Sequence, residues 1–178
     1  AKNDQEVVAD ILRDLEENEE KVTHHGKRAE QIVKSMLQHS RNSSGEKEMT
    51  DINALCDEYL RLAYHGFRAK DKSFNSDFKL EAEGQLPRIK VISQDLGRVL
   101  LNLINNAFQA VHGQADAQVT VATQKVKDQI QITVTDNGPG IPDEIKDKIY
   151  QPFFTTKPTG EGTGLGLSMS YDIVTEGH

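Results

Sequence analysis

Over the first forty residues, apolar or small side chains recur at Val8, Ile11, Leu15, Val22, Ala29, Ile32 and Met36. With Asn18 and His25 in the two missing positions, the steps alternate between three and four, the period of a bundle or coiled-coil helix. The run lacks proline, has Gly26 as its only glycine, and carries Glu, Lys, Arg and Asp between the seam positions, as a solvated face would. One helix about 55–60 Å long at 1.5 Å per residue cannot bury such a stripe against a small globule. The pattern therefore predicts further helices as partners, with Asn18 and His25 setting register or bordering a functional surface.

The periodicity then changes. "RNSSGEKEMT" (41–50) is polar and Gly/Ser-bearing and reads as a linker, so the expected organisation is a helix over 1–41, a linker over 42–50 and a domain over 51–178. "DINALCDEYLRLAYHGFRAK" is an amphipathic helix, and "FKLEAEGQLPRIKVI" alternates around Gly84 and Pro87 as two short strands and a turn. "SQDLGRVLLNLINNAFQAV" is a helix with Ser93 as N-cap and Asp95 in its first turn. "AQVTVATQKVKDQIQITVTD" is two strands turning near Lys127 and Asp128, and "SMSYDIV" begins a last helix. This order predicts an α+β sandwich, a mixed and mainly antiparallel sheet covered on one face by helices, preceded by the long N-terminal helix.

Composition narrows the classes. A net charge of −7 argues against a nucleic-acid partner. Cys56, the only cysteine, excludes an internal disulfide framework and a cysteine-based zinc site, fits a reducing compartment, and reads as a packing residue. No run approaches the eighteen or so apolar residues that would span a bilayer, and no signal peptide is visible.

Three segments carry chemistry. In the helix 96–111, Leu100, Leu103, Ile104, Ala107 and Val111 share one side while Asn102, Asn106 and Gln109 cluster on the other. Solvated faces favour Lys and Glu, which are better helix formers than Asn. Two Asn at i and i+4 present neutral oxygens to one spot, a donor type suited to a hard cation such as Mg²⁺. Next, "ITVTDNGPGIP" ends a strand on Asp136, followed by a sharp open turn. A carboxylate there can accept a hydrogen bond from a ligand amino group, and neighbouring glycines admit a flat ring; adenine offers both. Last, "TTKPTGEGTGLGLS" has glycine at every second position from Gly160 to Gly166. It fits no Walker A loop, dinucleotide fingerprint or protein-kinase glycine loop. It runs into a helix whose N-terminal amides can bind an anion, with Lys157 upstream for a charge-assisted contact. Leu165, Leu167 and the Phe153-Phe154 pair are more than a bare linker would need.

In order and spacing these segments resemble the ATP-binding domain of sensor histidine kinases, of the GHKL superfamily with its Bergerat-type fold. "LLNLINNAFQAV" is similar to the N box, "DNGPGI" to the G1 box, "YQPFFTTK" to the F box and "GTGLGLS" to the G2 box. The resemblance covers 50–178, and "HHGKRAEQIVKSMLQHSR" resembles the second helix of the dimerisation and phosphoacceptor hairpin. It implies ATP and Mg²⁺ as cofactors, with Asn106 as the Mg²⁺ ligand and Asn102 assisting. It implies that Asp136 binds the adenine amino group, with Gly138, Gly140 and Ile141 shaping that pocket. Phe153 and Phe154 would anchor an ATP lid, and Lys157, Gly162, Thr163, Gly164, Leu165, Gly166 and Leu167 would close over the phosphates. "TKPTGEGTG" would then be the segment most mobile without nucleotide. Implied partners are a second copy through the long helix and a response-regulator receiver domain, in the cytoplasm, with the full-length protein anchored in the inner membrane in some family members.

Several departures matter. Many family members have Lys three residues after the N-box Asn, where this chain has Gln109. The ATPase relatives place a general-base Glu where this chain has Asn102, and a neutral amide takes no proton from water. None of the six histidines is followed by Glu or Asp, as the family's phosphoacceptor is; His24 and His25 are the internal alternatives. The chain also stops in the helix after the G2 box, so the expectation is a fragment of a longer kinase, cut at both ends. A nucleotide-binding adaptor and a GHKL ATPase stay open beside the kinase.

Overall fold

The long N-terminal helix is present as α1 (Lys2–Ser40) in the computed structural model, which describes residues 2–40, 45–158 and 162–176. α1 and the described part of 153–165 form one compact unit, and residues 45–152 with 166–176 form another. Along α1 the seam residues Val8, Ile11, Leu15 and Val22 are each more than half exposed. Asn18 and His25 are exposed too, and i,i+3 and i,i+4 ion pairs (Arg13–Asp10, Lys21–Glu17) decorate the helix. The side chains of Ile32 and Met36 lie outside the described residues.

The second unit contains β1 (Glu48–Thr50), α2 (Ile52–Lys70), β2 (Asp77–Ala82), β3 (Ile89–Val91) and α3 (Ser93–Ala110). After them come β4 (Gln118–Val126), β5 (Gln129–Asp136), α4 (Asp143–Lys146) and α5 (Gly166–Glu176). The α+β class and mixed sheet are as expected, and the order β2-β4-β5 pairs β2 with β4 in parallel and β4 with β5 antiparallel. Lys127 takes φ +56° in the two-residue connection between β4 and β5, the left-handed conformation such tight hairpins require.

Two expectations are corrected. The end of the predicted linker is strand: Glu48–Thr50 pairs antiparallel with β3, while residues 42–44 lie outside the described residues. The two short strands expected around Gly84 and Pro87 are present as β2 and β3, β2 pairing with β4 and β3 with β1. Ser93 is the first helical residue and not the N-cap, a position taken by Ile92 without a side-chain cap. Its hydroxyl instead shares a 2.7 Å hydrogen bond with Thr50, tying the start of α3 to β1.

β4 alternates over Gln118–Thr123, burying Val119, Val121 and Thr123 against the helices. Phe108 of α3 is fully buried with Tyr64, Phe67, Phe74 and Phe78 around it at ring-centroid distances of 5.7–6.3 Å. Cys56 sits in the same core, and burial pushes its thiol up to about 12, so it packs as a small apolar group.

The C-terminal ends of α2 and α3 are joined by a polar knot. Asp71 Oδ1 accepts from the Ser73 hydroxyl (2.6 Å) and Ser73 N–H (2.8 Å), and Oδ2 meets His112 Nε2 at 3.0 Å. The Ser73 hydroxyl, then His112, hold the Asp71 carboxyl down at about 2, against 3.8 ordinarily. A carboxylate depressed in the folded state stabilises fully above its unfolded pKa and loses that contribution as pH falls through the folded value. Asp71→Asn should therefore have a lower urea midpoint than the parent at pH 5–7, with the gap shrinking between pH 4 and 2. A gap independent of pH would refute this role for Asp71.

Candidate functional site

The site is built on α3. Its apolar side, Val99, Leu100, Ile104, Ala107, Phe108 and Val111, is buried, which fixes the rotation of the helix and turns Asn102, Asn106 and Gln109 to a half-buried side. α3 packs against α2 and against α5. Asn102 Nδ2 donates to the Gly166 carbonyl at 3.2 Å and to Ser170 Oγ at 3.3 Å, both in the first turns of α5. Asn102 thus spends its amino half on α5, and its carbonyl oxygen accepts no hydrogen bond among the described residues. No buried side-chain polar atom among them lacks a partner, so that oxygen reaches solvent. A solvent-facing amide oxygen beside a second Asn one turn on is a fitting donor set for a hard cation.

Asp136 closes β5 and is half-buried. Its Oδ1 accepts from Gly138 N–H at 2.9 Å, which winds the turn and leaves Oδ2 without a partner among the described residues. Gly138 is dictated by packing: a Cβ there would lie 2.9 Å from Ala110 Cβ and 3.0 Å from the Ala110 carbonyl. The turn therefore presses directly on the end of α3. Gly140 has open space but takes φ +75°, a conformation side chains resist. Ile141 is exposed and Leu167 half-buried.

The glycine-rich segment, taken by itself, folds back between its two arms. A Cβ on Gly164, at φ +69°, would stand 2.4 Å from the Phe153 carbonyl carbon, and one on Gly162 would stand 2.7 Å from Thr155 Oγ1. Phe153 itself adopts φ +67°, uncommon for a residue with a side chain. Lys157 N–H donates to Thr155 Oγ1 at 3.1 Å, and Leu165 N–H to Thr163 Oγ1 at 3.4 Å. Phe154 is half-buried and Leu165 buried. The mobility expected of 156–164 falls partly on residues 159–161, which lie outside the described residues.

Residues 92–178 match the family model of the histidine kinase-, DNA gyrase B- and HSP90-like ATPases. Among solved structures, the catalytic domain of histidine kinase ThkA in a nucleotide-free form is 34% identical, with a TM-score of 0.59, over 74% of this chain and 82% of that one. This chain belongs to the histidine kinase catalytic domains. Among curated relatives, the histidine-protein kinase AtoS of Escherichia coli K12 is 35% identical over 80% of this chain and 22% of its own length. The sensor histidine kinase ZraS of the same strain is 32% identical over 83% of this chain and 30% of its own. The chain thus spans less than a third of the length of these two relatives. ThkA in complex with the response regulator TrrA is 29% identical, with a TM-score of 0.64, over 88% of this chain and 42% of that one. The match to an ATPase family makes ATP the nucleotide of this domain.

The catalytic domain holds contacts that sequence reasoning missed. Asn137, read only as a turn residue, accepts from Gln118 N–H (2.8 Å) and donates to the Asp116 carbonyl (2.8 Å), extending the β4–β5 ladder by a side chain. This clamp holds the Asp136 turn to the start of β4, and the Asn-Gly dipeptide was its only local signal. Ser170, the α5 partner of Asn102, gave none. Among the described residues no group of three or more His, Cys, Asp or Glu could hold a metal ion, and no helix is long and apolar enough to cross a membrane.

Proposed function

We propose that this chain is the ATP-binding catalytic portion of a two-component sensor histidine kinase. It transfers the γ-phosphoryl group of Mg·ATP to a histidine on a separate helix, from which the group passes to an aspartate of a response-regulator receiver domain. The observation that carries this reading is the pair of neutral amides, Asn102 and Asn106, on the ligand-facing side of α3, with no carboxylate where hydrolysis would need a base. The similarity to ThkA, solved with its response regulator, supports the receiver-domain partner. The exposed apolar seam of α1 supports pairing with a second copy.

Asn106, assisted by Asn102 Oδ1, holds Mg²⁺, and Asp136 Oδ2 accepts from the adenine amino group while Gly138, Gly140 and Ile141 border the ring. When bound, Mg²⁺ would supply charge neutralisation on the phosphate oxygens. The resemblance assigns Phe153 and Phe154 to anchoring a lid, and Lys157, Gly162, Thr163, Gly164, Leu165, Gly166 and Leu167 to the phosphates. Gln109, a neutral side chain, gives one cationic contact fewer than a lysine would.

An acceptor hairpin bearing a His-Glu pair, mixed with this chain and Mg·ATP, is expected to gain an acid-labile, alkali-stable phosphoryl group, with little phosphate released by the chain alone. Binding without labelling would favour an adaptor, a reading that Gln109 motivates. Steady phosphate release would favour an ATPase and overturn the argument from Asn102.

A further inference from the structure

We infer that Ser170 is a positioning residue for the cation site: it fixes which half of the Asn102 carboxamide faces the ligand. This rests on the assignment of Asn102 and Asn106 to Mg²⁺ made above.

A carboxamide has a donor half and an acceptor half of the same shape, and an unconstrained Asn turns between them readily. Only the oxygen half can help a cation. In this domain the choice is made by α5. Ser170 Oγ, 5% exposed, donates its single proton to the Gly166 carbonyl at 2.8 Å. Toward Asn102 it is therefore an acceptor, as is the Gly166 carbonyl, at 3.3 Å and 3.2 Å from Nδ2. Two acceptors facing one side chain admit the NH₂ group and repel the oxygen. The start of α5 lies close to this amide: a Cβ on Gly166 would stand 3.5 Å from Asn102 Cγ and Oδ1. The outcome is that Oδ1 is turned out, on the side of α3 that carries Asn106 one turn later. Serine is needed because its hydroxyl donates to one neighbour while accepting from the other; alanine or valine at 170 leaves a single acceptor and lowers the cost of the flipped amide.

The test separates cation-dependent from cation-independent binding. ADP affinity is measured by calorimetry with and without Mg²⁺ for the parent, Ser170→Ala, the isosteric pair Ser170→Thr and Ser170→Val, and Asn106→Ala. Exchange of the Asn102 side-chain amide protons is followed by NMR in the nucleotide-free protein. Ser170→Ala is expected to bind Mg²⁺-free ADP as the parent does, to lose about 3- to 10-fold of the Mg²⁺-dependent gain, and to exchange the Asn102 protons faster. Ser170→Thr should keep the gain and Ser170→Val lose it, which removes added bulk as the explanation. Equal weakening with and without Mg²⁺ would mean a merely structural role and overturn the inference. If Asn106→Ala abolishes the gain while Ser170→Ala keeps it, the inference alone fails. A parent with no Mg²⁺-dependent gain overturns the cation site and the inference with it.

Discussion

Replacing Phe108 by alanine is expected to destabilise the catalytic domain by about 3–5 kcal/mol, the largest single effect any core substitution should have here. Phe108 is fully buried, and four other aromatic rings surround it. Its deletion removes apolar burial and edge-to-face contacts together, and leaves a cavity walled by residues from α2, α3, β2 and the loop before β2. Rigid elements on several sides cannot all collapse inward, so the cost should fall toward the upper part of that range. Domains are stable by only about 5–15 kcal/mol, so the substitution would remove a large share of the total and lower Tm by roughly 10 °C or more. Phe108→Leu, which keeps most of the volume, should cost no more than about half as much. Because Phe108 lies two residues after Asn106, the loss should also weaken nucleotide binding at temperatures where the variant is still folded. Thermal and urea unfolding check the first claim; a Phe108→Ala midpoint matching that of Phe108→Leu would show that the aromatic cluster is not the centre of the core.

How far the site was legible follows from how local its causes are. The amide face of α3 could be read because a 3.6-residue period separates Leu100, Ile104 and Ala107 from Asn102 and Asn106 whatever the helix packs against. The β4–β5 hairpin was equally plain, since both strands alternate and the turn residues lie between them. What stayed hidden was pairing across sequence. Alternation says which residues share a face and nothing about which strand lies alongside, so the two short strands around Gly84 and Pro87 could be expected but not that β2 joins β4 some forty residues on. Gly138 looked like a glycine kept for a ligand, and a local reading could not show that Ala110 fills the space its Cβ would take. Ser93 looked like a cap because Ser before an apolar run usually is one, but Thr50 competes for its hydroxyl. Asn102 is the sharpest case. Its place on the helix was predictable, whereas the orientation of its amide depends on Gly166 and Ser170, more than sixty residues away.

Asp136→Asn should weaken ATP binding about 10- to 100-fold while leaving the fold intact, and the reason is hydrogen-bond polarity and not size. In the parent, Oδ1 is engaged by Gly138 N–H and Oδ2 is the acceptor left for a ligand. In Asp136→Asn the amide keeps its oxygen on Gly138 N–H, because the alternative sets two donors against each other, and so its NH₂ group occupies the position of Oδ2. A donor then meets the adenine amino group, itself a donor. The loss combines a charge-assisted hydrogen bond, worth about 1.5–3 kcal/mol, with an unsatisfied pair of N–H groups. The same logic predicts a reversal with altered bases. Purine riboside triphosphate, which lacks the amino group, should lose affinity for the parent and much less for Asp136→Asn. Inosine triphosphate, with a carbonyl at that position, should bind Asp136→Asn better than it binds the parent. The affinities of ATP and of purine riboside triphosphate for the two proteins form a double-mutant cycle between the carboxylate and the amino group, and the coupling is its direct measure. A coupling near zero, with ATP bound equally by both proteins, would remove Asp136 from the adenine site whatever the other residues do.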